Sequence, residues 1–328
     1  MKRALAWVAL ALPLAAQPKL LTNARADTRS AAGGLEQQFR PLVNAQPQPA
    51  WIGYAVSSVR GYFLGCEFVS HDGWSAPGVI HLEPPDHVVV LFRVTNNAVE
   101  RIRALSPDCE IDAGGVPVHW LTDVKPAESV ALLAGFVTDR NLNNNGALSA
   151  IAMHEDASAD ATLDRFAAAD QPQSQRLRAI GWLGSVRGRH GFEALRSFLA
   201  NDPDERVRER AVTGLGSSKD PDALELLIAT ARTGGNPRLR AQAVGELGHK
   251  QGAKVVDVIT AAIASDPDTQ VQRRAVSALR EMPDGQGIPL LIELVKTSKS
   301  AEIRKQAMSA LEQTRDPRAV AFFEQVLQ

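Results

Sequence analysis

The sequence is poor in the groups that usually announce chemistry. Only two of its 328 residues are cysteine and only 5% are aromatic. The two cysteines do not form a Cys-x-x-Cys pair, which removes the usual signature of a thiol-disulfide enzyme. No His-Glu-x-x-His occurs, and Ser75 lacks the glycine-flanked context of a nucleophile elbow. No apolar run reaches the roughly 18 residues that a membrane-spanning helix needs. Charge of one sign is missing too. With 36 Lys+Arg against 37 Asp+Glu the net charge is −1, which gives no general field for a polyanion. What remains is ample material for a core. An apolar share of 45% beside 22% charged residues excludes a wholly disordered chain, and the length fits two or three units.

The chain starts with an address. Lys2 and Arg3 precede an uncharged apolar run of 13 residues, 4–16, with Pro13 near its end. A basic start and a short apolar stretch predict a signal peptide over 1–16. Ala16 is the expected last residue of that peptide. Ala24-Arg25-Ala26 fits the small-x-small rule better, yet lies ten residues beyond the run. The mature protein is therefore expected to be exported, periplasmic or secreted, with no membrane span after cleavage. Residues 17–50 are polar and carry Gly33-Gly34, Pro41, Pro47 and Pro49. They predict a linker holding one short amphipathic helix over 35–43.

Composition breaks sharply at Trp51. The module 51–137 contains both cysteines and, between Trp51 and Trp120, eight of the 17 aromatic residues. The β-branched run 88–94 ends at Asn96-Asn97, residues that tolerate positive φ, and 99–105 returns as its partner. A second hairpin is expected from 110–112 across Gly114-Gly115 to 116–121, with further strands at 51–59, 62–68 and 79–82. Together these predict a small antiparallel β-rich module. Pro126 then opens a helix carrying Val130, Leu133, Ala134 and Val137 at helical spacing. Two cysteines within one exported module, Cys66 and Cys109, are most simply a disulfide. Closing that loop removes unfolded-state entropy worth roughly 4 kcal/mol. His71, His81, His87 and His119 also fall here, beside Asp72 and Asp86, but their spacing matches no zinc signature. They are expected to be surface or core histidines. No metal or cofactor is expected.

The remainder repeats with a fixed period. Ala147, Ala179, Ala211, Ala243, Ala275 and Ala307 stand 32 residues apart. Apolar rows run in register with them: Ile151, Leu183, Leu215, Leu247, Leu279 and Leu311, then Leu163, Leu195, Leu227, Ile259, Leu291 and Phe323. Another contains Phe192, Leu224, Val256, Ile288 and Val320. Each period reads as two helices, for example 205–215 and 221–232. The first stops at Gly184, Gly216 or Gly248, or at a turn such as Pro283-Asp284-Gly285. Two such helices cannot cover their own apolar faces. Stacking on the next pair does so, which predicts an α-solenoid over 140–328.

The pattern Asp-Pro-Asp, Val-Arg-x-x-Ala-x-x-x-Leu-Gly, turn, Ala-Leu-x-x-Leu resembles a HEAT repeat, in the short form seen also in phycobilin lyases. Residues 205–231 carry it through Val207-Arg208, Ala211, Leu215-Gly216, Asp220-Pro221 and Ala223-Leu224. The resemblance covers about five and a half repeats. It departs at Gln272, which replaces the arginine, at Arg280 and Glu312, which replace the glycines, and at 141–145, a loop in place of the first helical turn. The pairing of such repeats with the 51–137 module is similar to secreted bacterial proteins of unassigned function.

The resemblance assigns a structural role to Arg176, Arg208, Arg240 and Arg304: pairing with the turn aspartates Asp202, Asp204 or Asp268 to lock neighbouring repeats. It also implies that the second helices line a concave binding face. Helical phase leaves Glu193, Arg196, Glu225, Ile228, Ala229, Arg232, Asp257, Thr260, Ala261, Ile292, Glu293 and Lys296 off the buried stripe there. Ile228 and Ile292 are either an exposed aliphatic pair ready for a partner or contacts between adjacent second helices. The expected function is a non-enzymatic extracytoplasmic interaction or scaffold protein that binds a protein or peptide, with no catalytic residues. An enzyme of the same repeat type is the alternative. The di-iron deoxyhypusine hydroxylases need several His-Glu pairs at matched positions, whereas this chain has His154-Glu155 alone, followed at the repeat spacing by Val186, Ser218, Lys250, Met282 and Thr314. A lyase would require a cytosolic pigment system, against the export signal. Nucleic-acid binding is the third reading. Residues 171–328 hold 23 Lys+Arg and 19 Asp+Glu, short of a dense basic footprint.

Overall fold

The computed structural model describes residues 21–62, 64, 66, 86–138 and 146–326. The signal peptide expected over 1–16, His71, Asp72, Ser75, His81, the strand expected at 79–82, most of that at 62–68 and the loop expected at 141–145 lie outside the described residues. The chain divides into two compact units, Met1–Thr162 and Leu163–Gln328.

In the first unit a five-stranded sheet has the order β2-β7-β3-β4-β5. Its strands are β2 (Arg25–Ser30), β3 (Ala50–Ser57), β4 (His87–Thr95), β5 (Ala98–Leu105) and β7 (Pro117–Thr122). The expected β4–β5 hairpin forms. Asn96 and Asn97 both take positive φ, 52° and 59°, as a two-residue hairpin turn requires. The second expected hairpin does not form. Short β6 (Ile111–Asp112) pairs in parallel with β1 (Leu21–Thr22), and β7 runs parallel to both β2 and β3. The stretch expected as a linker thus supplies two strands as well as α1 (Leu35–Asn44). Strand β2 was hidden because it lies at the sheet edge with almost every side chain in solvent, so no apolar alternation marks it.

Both faces of the central strands are covered, which is why β4 reads as a continuous apolar run. On one face Phe39 of α1 meets Phe92 with ring centroids 4.7 Å apart, and Phe136 closes the cluster. On the other, Val89, Leu91, Leu105 and Trp120 pack with the Cys66–Cys109 disulfide, whose Cα atoms are 5.5 Å apart. Helix α2 (Pro126–Ala134) begins at its proline as expected and buries Val130 and Leu133. Ser129 of α2 sits at the centre of a buried polar chain. Its Oγ lies 2.7 Å from the Tyr54 hydroxyl and 2.8 Å from His154 Nε2, while His154 Nδ1 lies 2.6 Å from the Ala150 carbonyl. Nδ1–H therefore donates to Ala150, Nε2 accepts from Ser129, and Ser129 accepts from Tyr54. Burial pushes the Tyr54 phenol well above its ordinary pKa. Helix α3 (Ala147–Met153), the start of the first period, belongs to this unit. Its end pairs with the end of β3 through the Ser58–His154 bridge.

Helix α4 (Ala157–Ala167) leads into five helical hairpins: α5 (Gln173–Val186) with α6 (Gly188–Asn201), α7 (Glu205–Ser217) with α8 (Ala223–Thr233), and α9 (Pro237–Leu247) with α10 (Ala253–Ser265). Then come α11 (Thr269–Glu281) with α12 (Ile288–Thr297), and α13 (Ala301–Glu312) with α14 (Pro317–Val326). The first helices α5, α7, α9, α11 and α13 pack side by side. Ala179, Ala211, Ala243, Ala275 and Ala307 are fully buried, and so are the leucines four residues on. The periodic rows are thus equivalent core slots. Helix starts recur at the same spacing, with Asp204, Asn236, Asp268 and Ser300 each accepting a hydrogen bond from the first-turn backbone.

Glycine at the end of a first helix lets two backbones touch. A methyl group added at Gly184 would lie 2.7 Å from the Cα of Gly214, an atom that cannot swing away. Gly184→Ala is therefore expected to cost about 1–3 kcal/mol. Gly235→Ala, with open space around it, should stay within about 0.5 kcal/mol. Urea denaturation of the two variants checks this; equal stabilities would contradict the close approach.

Candidate interaction surface on the second helices

The repeat arginines make two alternating sets of contacts. Arg240 donates to both Asp266 oxygens, at 2.8 and 2.9 Å, and to the Gly234 carbonyl at 2.8 Å. Arg176 makes the matching ion pair with Asp202 and also holds the Ala167 carbonyl. Both pairs are nearly closed to solvent. Arg208 lacks a carboxylate partner of this kind, because the position of Asp202 and Asp266 is taken by Gly234, and Arg304, in the last repeat, has none among the described residues. They donate to the backbone carbonyls of Asp202 and Ser298 instead. Asp204 and Asp268, expected as alternative partners, cap helices. The partner missing from the sequence reading was Asp266, first residue of its Asp-Pro-Asp. The hydrogen bond from Arg240 holds the Asp266 carboxyl below its ordinary pKa despite burial, and the same contact raises Arg240.

This framework leaves one side of each second helix in water. Arg196, Glu225, Ala229, Arg232, Asp257, Ala261, Glu293 and Lys296 are exposed, while Glu193, Thr260 and Ile292 are half-buried. Ile228 takes the second of its two expected places. It is 3% exposed and belongs to the core, because a helix flanked on two sides in a stack buries a wider arc than a single stripe. Several charges neutralise one another. Glu193 pairs with Arg196 and Arg189, and Glu225 with Lys254.

Two grooves open on this side, at equivalent places one period apart. One, of about 350 Å³, lies between α8 and α10 and is lined by Arg232, Arg240, Val258, Ala261 and Asp266 among others. The other, of about 460 Å³, lies between α10 and α12 and is lined by Thr260, Ile263, Leu290, Glu293 and Leu294 over Leu279. Four of the expected contact residues, Arg232, Thr260, Ala261 and Glu293, therefore share these grooves. Ile263, Leu290 and Leu294 were not anticipated. The departure at Gln272 was the available signal.

Among the described residues, the histidines of this unit form no joint site. His87 contacts Asp86, and His119 sits between Asp27 and Gln46. Burial raises the Asp27 carboxyl, but hydrogen bonds and charge from Arg29 and His119 bring it below its ordinary pKa. Among the described residues no group of three or more His, Cys, Asp or Glu is placed to hold a metal ion. A further groove of about 610 Å³ lies between α1 and α2.

Comparison with known families now bears on the array. The family of HEAT repeats matches residues 159–248 and 256–328. The C-terminal half is a HEAT-repeat array. Among curated proteins none matches the chain. Solved structures similar to it include the complex of CpcE and CpcF of phycocyanin lyase from Nostoc sp. PCC7120, at 22% identity and TM-score 0.36, covering 47% of this chain and 99% of that one. Human deoxyhypusine hydroxylase is similar at 14% identity and TM-score 0.26, covering 62% and 74%. Likeness this partial carries no argument about activity or partner.

The HEAT array's buried ion pair has a testable pH dependence. The folded pKa of Asp266 lies below its unfolded value, so the pair adds stability above the carboxylate range and loses it as pH falls through the folded value. Asp266→Asn is expected to cost on the order of 3 kcal/mol at neutral pH, by leaving Arg240 unpaired. Thermal melts of both proteins should converge below about pH 4. A gap that stays constant to lower pH would contradict this account.

Proposed function

We propose that the protein is an exported, non-enzymatic interaction protein whose HEAT array presents the exposed side of its second helices to a protein or peptide. The observation that carries this reading is the division of labour within each repeat. First helices are committed to the core, while second helices keep exposed charges and two grooves. An array of this kind offers area built from many small contributions, suited to an extended partner. Export is supported by the basic and apolar start of the chain and by the Cys66–Cys109 disulfide, since such bonds persist in oxidising compartments. No helix among the described residues is long and apolar enough to cross a membrane.

Site-specific crosslinking in the native compartment tests the reading. A photoreactive residue at Ala229 or Ala261, both small and exposed, is expected to trap a polypeptide partner several-fold more than one at Arg238 on the first-helix side. Equal trapping at all three positions, or trapping only at Arg238, would contradict it.

A further inference from the structure

The junction between α10 and α12 breaks the rule that closes the junction before it. Gln272 and Ser298 stand one period after Arg240 and Asp266. Where Arg240 and Asp266 close their junction with a two-pronged ion pair, Gln272 donates only to the Asp266 carbonyl, at 2.8 Å. Arg304 takes the Ser298 carbonyl, also at 2.8 Å. Among the described residues no charged pair spans the gap, and the space is a groove of about 460 Å³ with Leu279 and Ile303 buried beneath it. Its walls, Ile263, Leu290 and Leu294, are aliphatic. The volume lies in the lower part of the range of about 300–1,000 Å³ found for ligand sites.

Charge narrows the occupant. Glu293 and Lys299 line this groove, and Arg232 lines the adjoining one. Each side chain lacks an ion pair among the described residues, unlike Glu193 and Glu225 on the same side. The rim therefore offers two cations and one anion around an aliphatic slot. A lipid chain or neutral apolar molecule would leave all three unused. Successive packed helices lie about 8–10 Å apart, the span of about three residues of extended chain at roughly 3.3 Å each.

We propose that the α10–α12 groove is the anchor subsite for an extended acidic peptide segment. An aliphatic side chain fills the slot, a basic neighbour meets Glu293, and acidic residues meet Lys299 and, three positions along, Arg232. This rests on the reading of the second-helix side as the partner-binding surface, and it names the chemistry of the partner segment.

The test uses the full mature chain and fluorescence anisotropy with labelled hexapeptides. The probes are Asp-Gly-Ser-Leu-Lys-Asp and its reversed order Asp-Lys-Leu-Ser-Gly-Asp. The controls replace leucine by serine or invert every charge. At least one probe is expected to bind, with more than about tenfold loss in the serine and charge-inverted controls. Ala264→Trp fills the slot from an exposed lining position, and Glu293→Lys reverses a rim charge. Each should weaken binding by a similar factor with unchanged helical circular dichroism. Replacing the probe's lysine by glutamate should restore binding to Glu293→Lys. Binding indifferent to both variants would overturn the groove assignment and leave the peptide-binding reading standing. No probe bound, with crosslinking at Ala229 or Ala261 still trapping a polypeptide, would overturn this chemistry alone. Neither probe nor polypeptide captured would sink both. A dimer that Ala264→Trp dissolves would assign the slot to a second copy and overturn the peptide.

Discussion

Everything in the C-terminal array depends on first helices lying close enough to share one core. Fully buried alanines at Ala179, Ala211, Ala243, Ala275 and Ala307, and a backbone contact through Gly184, set that distance. A hairpin with one apolar stripe cannot bury it alone, so each repeat is stable only against its neighbours. The same constraint explains why helix starts and stops recur in register. If the caps at Asp204, Asn236, Asp268 and Ser300 drifted, the alanine slots would no longer face one another.

Within that uniform core the junctions are not uniform. Buried ion pairs close two of them, Arg176–Asp202 and Arg240–Asp266, while the corresponding places at Gly234 and Ser298 carry no carboxylate. An arginine that lacks its acid still donates to a carbonyl at the end of the preceding helix, so the alternative costs no unpaired polar group. Gln272 keeps that carbonyl contact with a shorter, neutral side chain. What changes is the space between second helices, and there a groove with an aliphatic floor appears. Core and surface are thus set by different residues of the same helices, so the surface can vary without disturbing the stack.

Long-range regularity was legible in the residues, and isolated long-range pairing was not. The alanine and leucine rows, the hairpin at Asn96-Asn97 and the helix opened by Pro126 all announce themselves through spacing or local conformational demand. Strand β2 does not, because its partner β7 lies far along the chain and its own side chains are solvated. The parallel run of β7 beside β3 escaped for the same reason: a glycine pair between two short runs looks like a hairpin until a third strand competes. The phase of one helix left Ile228 open between surface and core, because burial in a stack depends on both neighbours. The α10–α12 groove goes with a departure at Gln272 that only geometry connects to Ser298 and Leu294.

Hydrogen–deuterium exchange on the full chain and on Arg240→Met tests the nearest-neighbour account most directly. Loss of the Arg240–Asp266 pair should raise exchange in helices α9, α10 and α11 and leave the β-sheet of the first unit as protected as before. A uniform loss of protection through both units, or no change at the altered junction, would contradict it.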